Sequence, residues 1–342
     1  MATVFPEKTV EQSPDGAFVR QSNRFRTRFG SGPGQLPVAA GRYRLLVSVG
    51  CGWSRRQLIV RRLLGLENAI SVGYASHRGD DGWEFGDQPG GVDAVFQVPR
   101  LNELYRRTEP GYQGRGTVPT VADVHTGRVV SNDYHTLSID FETAWKPLHR
   151  PGAPDLYPEA LRPAIDLLNQ QLFDDVNNGP YKVLFAQSLQ AAAAAKRVFE
   201  ARLADLDFRL ASRRYLFGER LTDADVRLFV TLASFDTNYR PRFPRELGPV
   251  VRISDFPHLW AYARDLFATP GFIDEREQVG VGLRPGPDGR YRRGFAEGEE
   301  QPADPLSPWL APHGREALGG SPVSSGPGGA GTVDLWRWGT AA

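Results

Sequence analysis

A chain of 342 residues, 40% of them hydrophobic, can bury a sizeable core and suggests two domains. Its 41 basic and 40 acidic side chains leave a net charge of +1, which gives no general attraction for nucleic acid or a membrane surface. No apolar run approaches the roughly 20 residues of a membrane span, and a single cysteine excludes an internal disulfide.

Residues 1–40 are polar and broken by Ser13-Pro14-Asp15-Gly16 and Gly30-Ser31-Gly32-Pro33-Gly34, the composition of an extended leader. Its first residues, Met1 to Lys8, lack the apolar core of a signal peptide, so a cytoplasmic location is expected. Phe18-Val19-Arg20 and Arg24-Phe25-Arg26-Thr27-Arg28-Phe29 interleave arginines with aromatics. Such a run can stack on bases and contact phosphates, but one short segment in a charge-balanced chain reads better as the surface of its own domain.

The stretch Tyr43 to Arg56 passes from an apolar strand, Leu45–Val49, through Gly50-Cys51-Gly52 into a helix. Leu58, Ile59, Leu63 and Leu66 give that helix its three- and four-residue apolar spacing. Cys51 therefore falls at a strand-to-helix turn. There the unpaired N–H groups and the positive end of the helix dipole favour an anion, so a reactive thiolate is expected, with Arg55 and Arg56 adding positive charge. A lone cysteine elsewhere would read as inert core filler. Without a second thiol, disulfide chemistry at Cys51 needs a mixed disulfide resolved by another molecule, which points to a small thiol co-substrate or a redoxin.

Residues 68–75 form a second strand, parallel to the first because a helix crosses between them. His77 to Gly91 is a Gly- and Asp-rich insertion around Gly82-Trp83-Glu84-Phe85. A short helix over 101–107 leads to Gly114-Arg115-Gly116-Thr117-Val118-Pro119, where the proline marks an edge or a cis turn. Strands over 118–122 and 128–131 make a hairpin. Asn132-Asp133 is expected to open a helix running to about Trp145. The order β-α-β, β-β-α, with a cysteine after the first strand and Val-Pro before the third, is the thioredoxin-like arrangement. In that fold the proline faces the cysteine.

Prolines 147, 151, 154 and 158 mark a linker over 147–158. The following domain, 159–278, is helical. Leu161 to Val176 marks one helix and Leu189 to Ala211 another, while Leu221-Thr222-Asp223-Ala224-Asp225-Val226 opens a third with a capping box and a hydrophobic staple. A further helix spans about 259–268. Residues 279–342 are dominated by Gly, Pro and charge, with Trp336-Arg337-Trp338 the only late apolar feature, and are expected to be loop or wrapped coil. The fold class is thus α/β + all-α, a thioredoxin-like domain over 41–146 followed by an all-helical domain.

That organisation, with the box at Thr222 and Asp225, resembles the soluble glutathione transferases. Tyr43 to Arg56, Gly82 to Phe85, Gly114 to Pro119, Asp155 to Arg162, Val176 to Lys182 and Phe256 to Tyr262 are similar to the Xi class, the glutathionyl-hydroquinone reductases. The likeness covers about residues 18–275. The family pattern Cys-Pro-Trp-Ala-His-Arg is matched at Cys51, Trp53 and Arg56. The resemblance implies that Cys51 attacks the sulfur of a glutathionyl-hydroquinone and that a second glutathione resolves the mixed disulfide. It implies that Val118, before Pro119, pairs its backbone with the cysteinyl part of glutathione, and that Trp83 and Arg115 contact the tripeptide. Asp133 stands where the family has a glutamate for the γ-glutamyl ammonium, and Tyr134 where a serine helps bind the γ-glutamyl carboxylate. Tyr181 matches a tyrosine whose hydroxyl serves the quinone oxygen. A homodimer is implied by the family alone.

Each residue also has a structural role open to it: loop anchor for Trp83, surface ion pair for Arg115, helix cap for Asp133, interdomain packing for Tyr181. Departures from the family are Gly52 for proline, Arg55 for histidine and Tyr134-His135 for serines. They point to a reshaped thiol site, for glutathione or another small thiol. The six histidines show no ligand spacing with the cysteine, so no metal is expected. The Gly-rich stretches lack the Lys-Ser/Thr ending of a phosphate loop. Besides the reductase, a non-catalytic protein binding an aromatic ligand and a conjugating transferase stay open; a retained cysteine argues against the conjugating one.

Overall fold

The computed structural model describes residues 13, 16–79, 81–291 and 304–322. They fall into two compact units, one from Asn23 to Ala153, the other from Pro154 onward with the described residues before Asn23. The expected Trp336-Arg337-Trp338 feature lies outside the described residues.

The first unit is built on a four-stranded sheet of order β2-β1-β5-β6. Strand β1 (Tyr43–Val47) is wholly buried, as an unbroken apolar central strand must be. Helix α1 (Gly52–Leu64) crosses to β2 (Ile70–Tyr74), which pairs parallel to β1. A small hairpin, β3 (His77–Gly79) and β4 (Gly82–Glu84), precedes α2 (Leu101–Thr108). Strand β5 (Thr120–Asp123) runs antiparallel to β1 and to β6 (Arg128–Ser131). It begins two residues later than the sequence predicts, after the cis Val118–Pro119 bond.

Helix α3 (Leu137–Glu142) is shorter at both ends than the predicted helix from Asn132-Asp133 to Trp145. The reason is side-chain competition. Asn132 Oδ1 accepts the Phe25 N–H at 2.8 Å and Asp133 Oδ1 accepts the His135 N–H at 3.1 Å, so both residues build a turn instead. Trp145, fully buried, ends up against Phe29, Tyr43 and Phe141. The Arg24–Phe29 part of the arginine–aromatic run belongs to this unit: Phe29 is core, Arg28 pairs with Asp140 at 2.6 Å and Arg24 with Glu109 at 2.8 Å. Those ion pairs are the domain-surface role expected of it.

The second unit is helical. Helix α4 (Arg162–Gln171) passes into a π-helical turn, Leu172–Asn177, before α5 (Gly179–Leu184), so the predicted helix to Val176 changes pitch rather than continuing. Helix α6 (Leu189–Leu210) is capped by Ser188, whose hydroxyl accepts the Ala191 N–H at 3.1 Å. Helix α7 (Asp223–Ser234) is buried throughout and is followed by a second π-helical turn, Phe235–Tyr239. At its head Asp225 accepts the Thr222 N–H at 2.8 Å, as the box predicts, while the Thr222 hydroxyl donates to the same carboxylate at 3.0 Å. Helix α8 (Pro257–Ala268) packs on α6 and α7. Helix α9 (Glu275–Gly280), capped by Asp274, runs past the expected start of the tail at 279, and the described part of the tail holds a short helix, α10 (Ser307–Leu310), where loop or coil is expected. Val281, Leu283 and Trp309 are buried there.

Candidate active site

Buried β1 ends at Val47, and the chain turns so that the Cys51 N–H donates to Ser48 O at 3.0 Å and the Ser54 hydroxyl accepts the Ser48 N–H at 3.2 Å. These bonds set Cys51 as the N-cap of α1, in extended conformation, with its carbonyl accepting the Arg55 N–H at 3.0 Å. The thiol is half-buried and lies 3.6 Å from the Val118 carbonyl oxygen, which accepts from it. Val118 is the residue before the cis proline, Pro119. Cysteine and cis proline thus meet within one unit, as the fold reading predicts.

Cys51 and Trp83 both pack against one apolar cluster that includes Val118, Leu101, Leu104, Tyr105 and Tyr112. Trp83 reaches it from β4, where it pairs with Arg78. The Gly114–Pro119 loop is fastened from below. The Tyr112 hydroxyl donates to Arg115 O at 3.0 Å, and the Asn132 amide to the Thr117 hydroxyl at 3.0 Å. The Tyr105 hydroxyl lies 2.8 Å from Thr120 Oγ1 and donates to Thr117 O at 3.2 Å. Burial pushes the Tyr105 phenol above its ordinary range, so it stays a neutral hydrogen-bonding group. Asn102 accepts the Gly116 N–H. The sequence reading names Asn132 only as a helix opener and does not single out Tyr105, Tyr112 or Asn102; the available signal is a polar Asn and a Tyr beside the leucines of a short amphipathic helix.

Asp133 and Tyr134 follow β6. The buried Asp133 carboxylate accepts from the Asn23 amide at 2.9 Å, the His135 N–H at 3.1 Å and the Thr136 hydroxyl at 3.1 Å, so local turn bonds occupy both oxygens. Tyr134 is 6% exposed, with its ring centred 4.7 Å from that of Trp53. Arg56 lies over Trp53 at 5.5 Å, and both Arg55 and Arg56 are buried. Tyr134, Trp53 and Arg56 therefore form one stack, two of its members in the first turns of the cysteine's helix.

Tyr181 belongs to the helical unit. Its hydroxyl is 3.2 Å from that of Tyr239, Arg20 lies over its ring at 4.4 Å, and Arg20 Nε donates to Asn178 Oδ1 at 3.0 Å. Among the described residues no group of three or more His, Cys, Asp or Glu could hold a metal ion, and no helix is long and apolar enough to cross a membrane.

A sheet of this order, a helix-capping cysteine beside a cis proline and a separate helical unit define a glutathione transferase. Residues 185–265 match the family model "glutathione S-transferase, C-terminal domain". The glutathionyl-hydroquinone reductase YqjG of Escherichia coli K12 is 39% identical over 274 residues, covering 77% of this chain and 82% of that protein. A glutathione transferase of Gordonia bronchialis superposes with a TM-score of 0.77 at 42% identity, covering 87% of this chain and 92% of that one. The Xi glutathione transferase of Phanerochaete chrysosporium gives 0.73 at 34% identity, over 86% and 99%. The chain belongs to the Xi-class glutathione transferases, the glutathionyl-hydroquinone reductase family.

Proposed function

We propose that the protein is a thiol-dependent reductase that removes the glutathionyl group from glutathionyl-hydroquinones or related aromatic conjugates. The carrying observation is the sole thiol, set as the N-cap of α1 against the carbonyl of a cis Val-Pro pair. The Cys51 thiolate attacks the conjugate's sulfur, and the sulfur–sulfur bond forms as the carbon–sulfur bond breaks. The bonding pair leaves with the ring, which takes up a proton and departs as hydroquinone. A second glutathione, as thiolate, attacks the mixed disulfide, releasing glutathione disulfide and the Cys51 thiolate. Trp83, Arg115, Val118, Pro119, Asp133 and Tyr134 would hold the tripeptide, and Tyr181 would hydrogen-bond the ring oxygen. The names of the relatives support the reaction class.

Asp133 with its carboxylate already engaged, and Tyr134 filling the serine position, favour a second reading of the co-substrate, a small thiol other than glutathione. One experiment separates the two. The protein is incubated with glutathione disulfide and, separately, with disulfides of other small thiols, and the adduct is read by intact mass. A single adduct from glutathione disulfide, reversed by glutathione and absent in Cys51→Ser, is expected. An adduct only with another thiol would transfer the reaction to that thiol. No adduct with any would leave a non-catalytic binding protein.

A further inference from the structure

We infer that Asn102, acting with Asp81, is a positioning residue that locks the Trp83 hairpin to the Arg115 loop and so shapes the thiol co-substrate site. The inference rests on the assignment of Trp83 and Arg115 to the tripeptide. Asn102 lies in the first turn of α2 and is 3% exposed, with both ends of its amide engaged. Its Oδ1 accepts the N–H of Gly116, the residue after Arg115. Its Nδ2 donates at 3.1 Å to Oδ1 of Asp81, two residues before Trp83. Arg106, one helical turn on, grips the same carboxylate at 2.6 and 3.0 Å and holds it below the ordinary carboxylate range. The two candidate binding segments are therefore joined through one buried side chain.

The backbone is cut to fit that amide. Gly82 has a φ of +93°, and a Cβ there would lie 3.1 Å from Asn102 Oδ1. A Cβ on Gly116 would collide with the same oxygen. Glycine on both sides lets the hairpin and the loop close on Asn102, as a hydrogen-bonded spacer between two ligand-bearing segments requires. Neither Asn102 nor Asp81 needs to touch the thiol; they fix the separation of the residues that would.

Asn102→Asp keeps an acceptor for Gly116 and sets a second carboxylate against Asp81. Asp81→Ala removes the outer half of the link at a partly exposed position and so tests the idea in a protein that folds even if the buried variant does not. Both are compared with Trp83→Ala and Arg115→Ala by titration with glutathione in a calorimeter and by alkylation of Cys51 with iodoacetamide. The expected result is glutathione binding weaker by about tenfold in Asn102→Asp and in Asp81→Ala, with alkylation rates within about twofold of the parent. Parent-like binding in these two, while Trp83→Ala and Arg115→Ala lose it, overturns the positioning role. Parent-like binding in all four overturns the assignment of Trp83 and Arg115, and the positioning role with it.

Discussion

Asp236 stands in the π-helical turn after α7 with both oxygens 3.2 Å from the Ile253 N–H, and burial pushes its carboxyl up to about 6. A carboxyl raised above its unfolded value near 3.8 favours the folded state when protonated. That stabilisation is complete below the unfolded value and lost as pH rises through about 6. With 26% of the side chain still exposed, the change is of order 1–2 kcal/mol. Asp236→Asn should flatten this slope. Urea midpoints of parent and variant at about pH 4 and about pH 7 should show the parent losing ground as pH rises, and an unchanged difference would refute the buried-carboxyl account. Other residues differ in how plainly the sequence declares them. Cys51 is legible because it is unique and sits between a strand pattern and a helix pattern. Asp133 is legible as a polar residue near a helix start, but which donors claim its oxygens depends on Asn23, 110 positions away. Tyr134 is visible as a departure from the family; that it stacks on Trp53 is a tertiary fact.

The head of α7 shows how far an element can be read. Thr222 and Asp225 announce a capping box at the correct spacing, yet Asp225 does more than the motif requires. Beyond Thr222 it accepts the Leu216 N–H and the Tyr262 hydroxyl, each at 2.8 Å, tying α7 to the preceding loop and to α8. Asp225→Ala should therefore cost about 3 kcal/mol, several times the loss from Thr222→Ala, because four buried donors lose their acceptor. Thermal unfolding of the two variants checks the ranking, and equal losses would reduce Asp225 to an ordinary cap. The π-helical turns after α4 and α7 are not legible, since an apolar face continues through them and one extra backbone residue leaves no mark on a window of hydrophobicity. The start of α3 is not legible for the opposite reason. Asn132 and Asp133 look like caps, but their side chains bond N–H groups outside the helix.

For the whole molecule, the division into a thioredoxin-like unit and a helical unit was open to reading because the hydrophobic period changes after the proline-rich stretch. The tail was not, because composition hides the few residues that anchor it. Buried Arg315 donates to Leu210 O at 3.1 Å, to Arg214 O at 2.9 Å and to Arg213 O, satisfying carbonyls where α6 ends. Trp309 packs on Trp260 and Phe267 at 4.7 and 5.1 Å. Arg315→Ala should destabilise the helical unit by about 2–3 kcal/mol, read as a lower urea midpoint, with Trp309→Ala comparable. A parent-like midpoint in both would mean that residues 304–322 cover the surface without supporting it.

The single thiol has a further consequence. With one sulfur available for exchange and none beside it to intercept a sulfenic acid, damage at Cys51 cannot be undone from within the chain. Under the proposed mechanism the molecule would keep no oxidised reserve and no internal repair, and its working life would be set by whichever arrives first, a reducing small molecule or a second equivalent of peroxide.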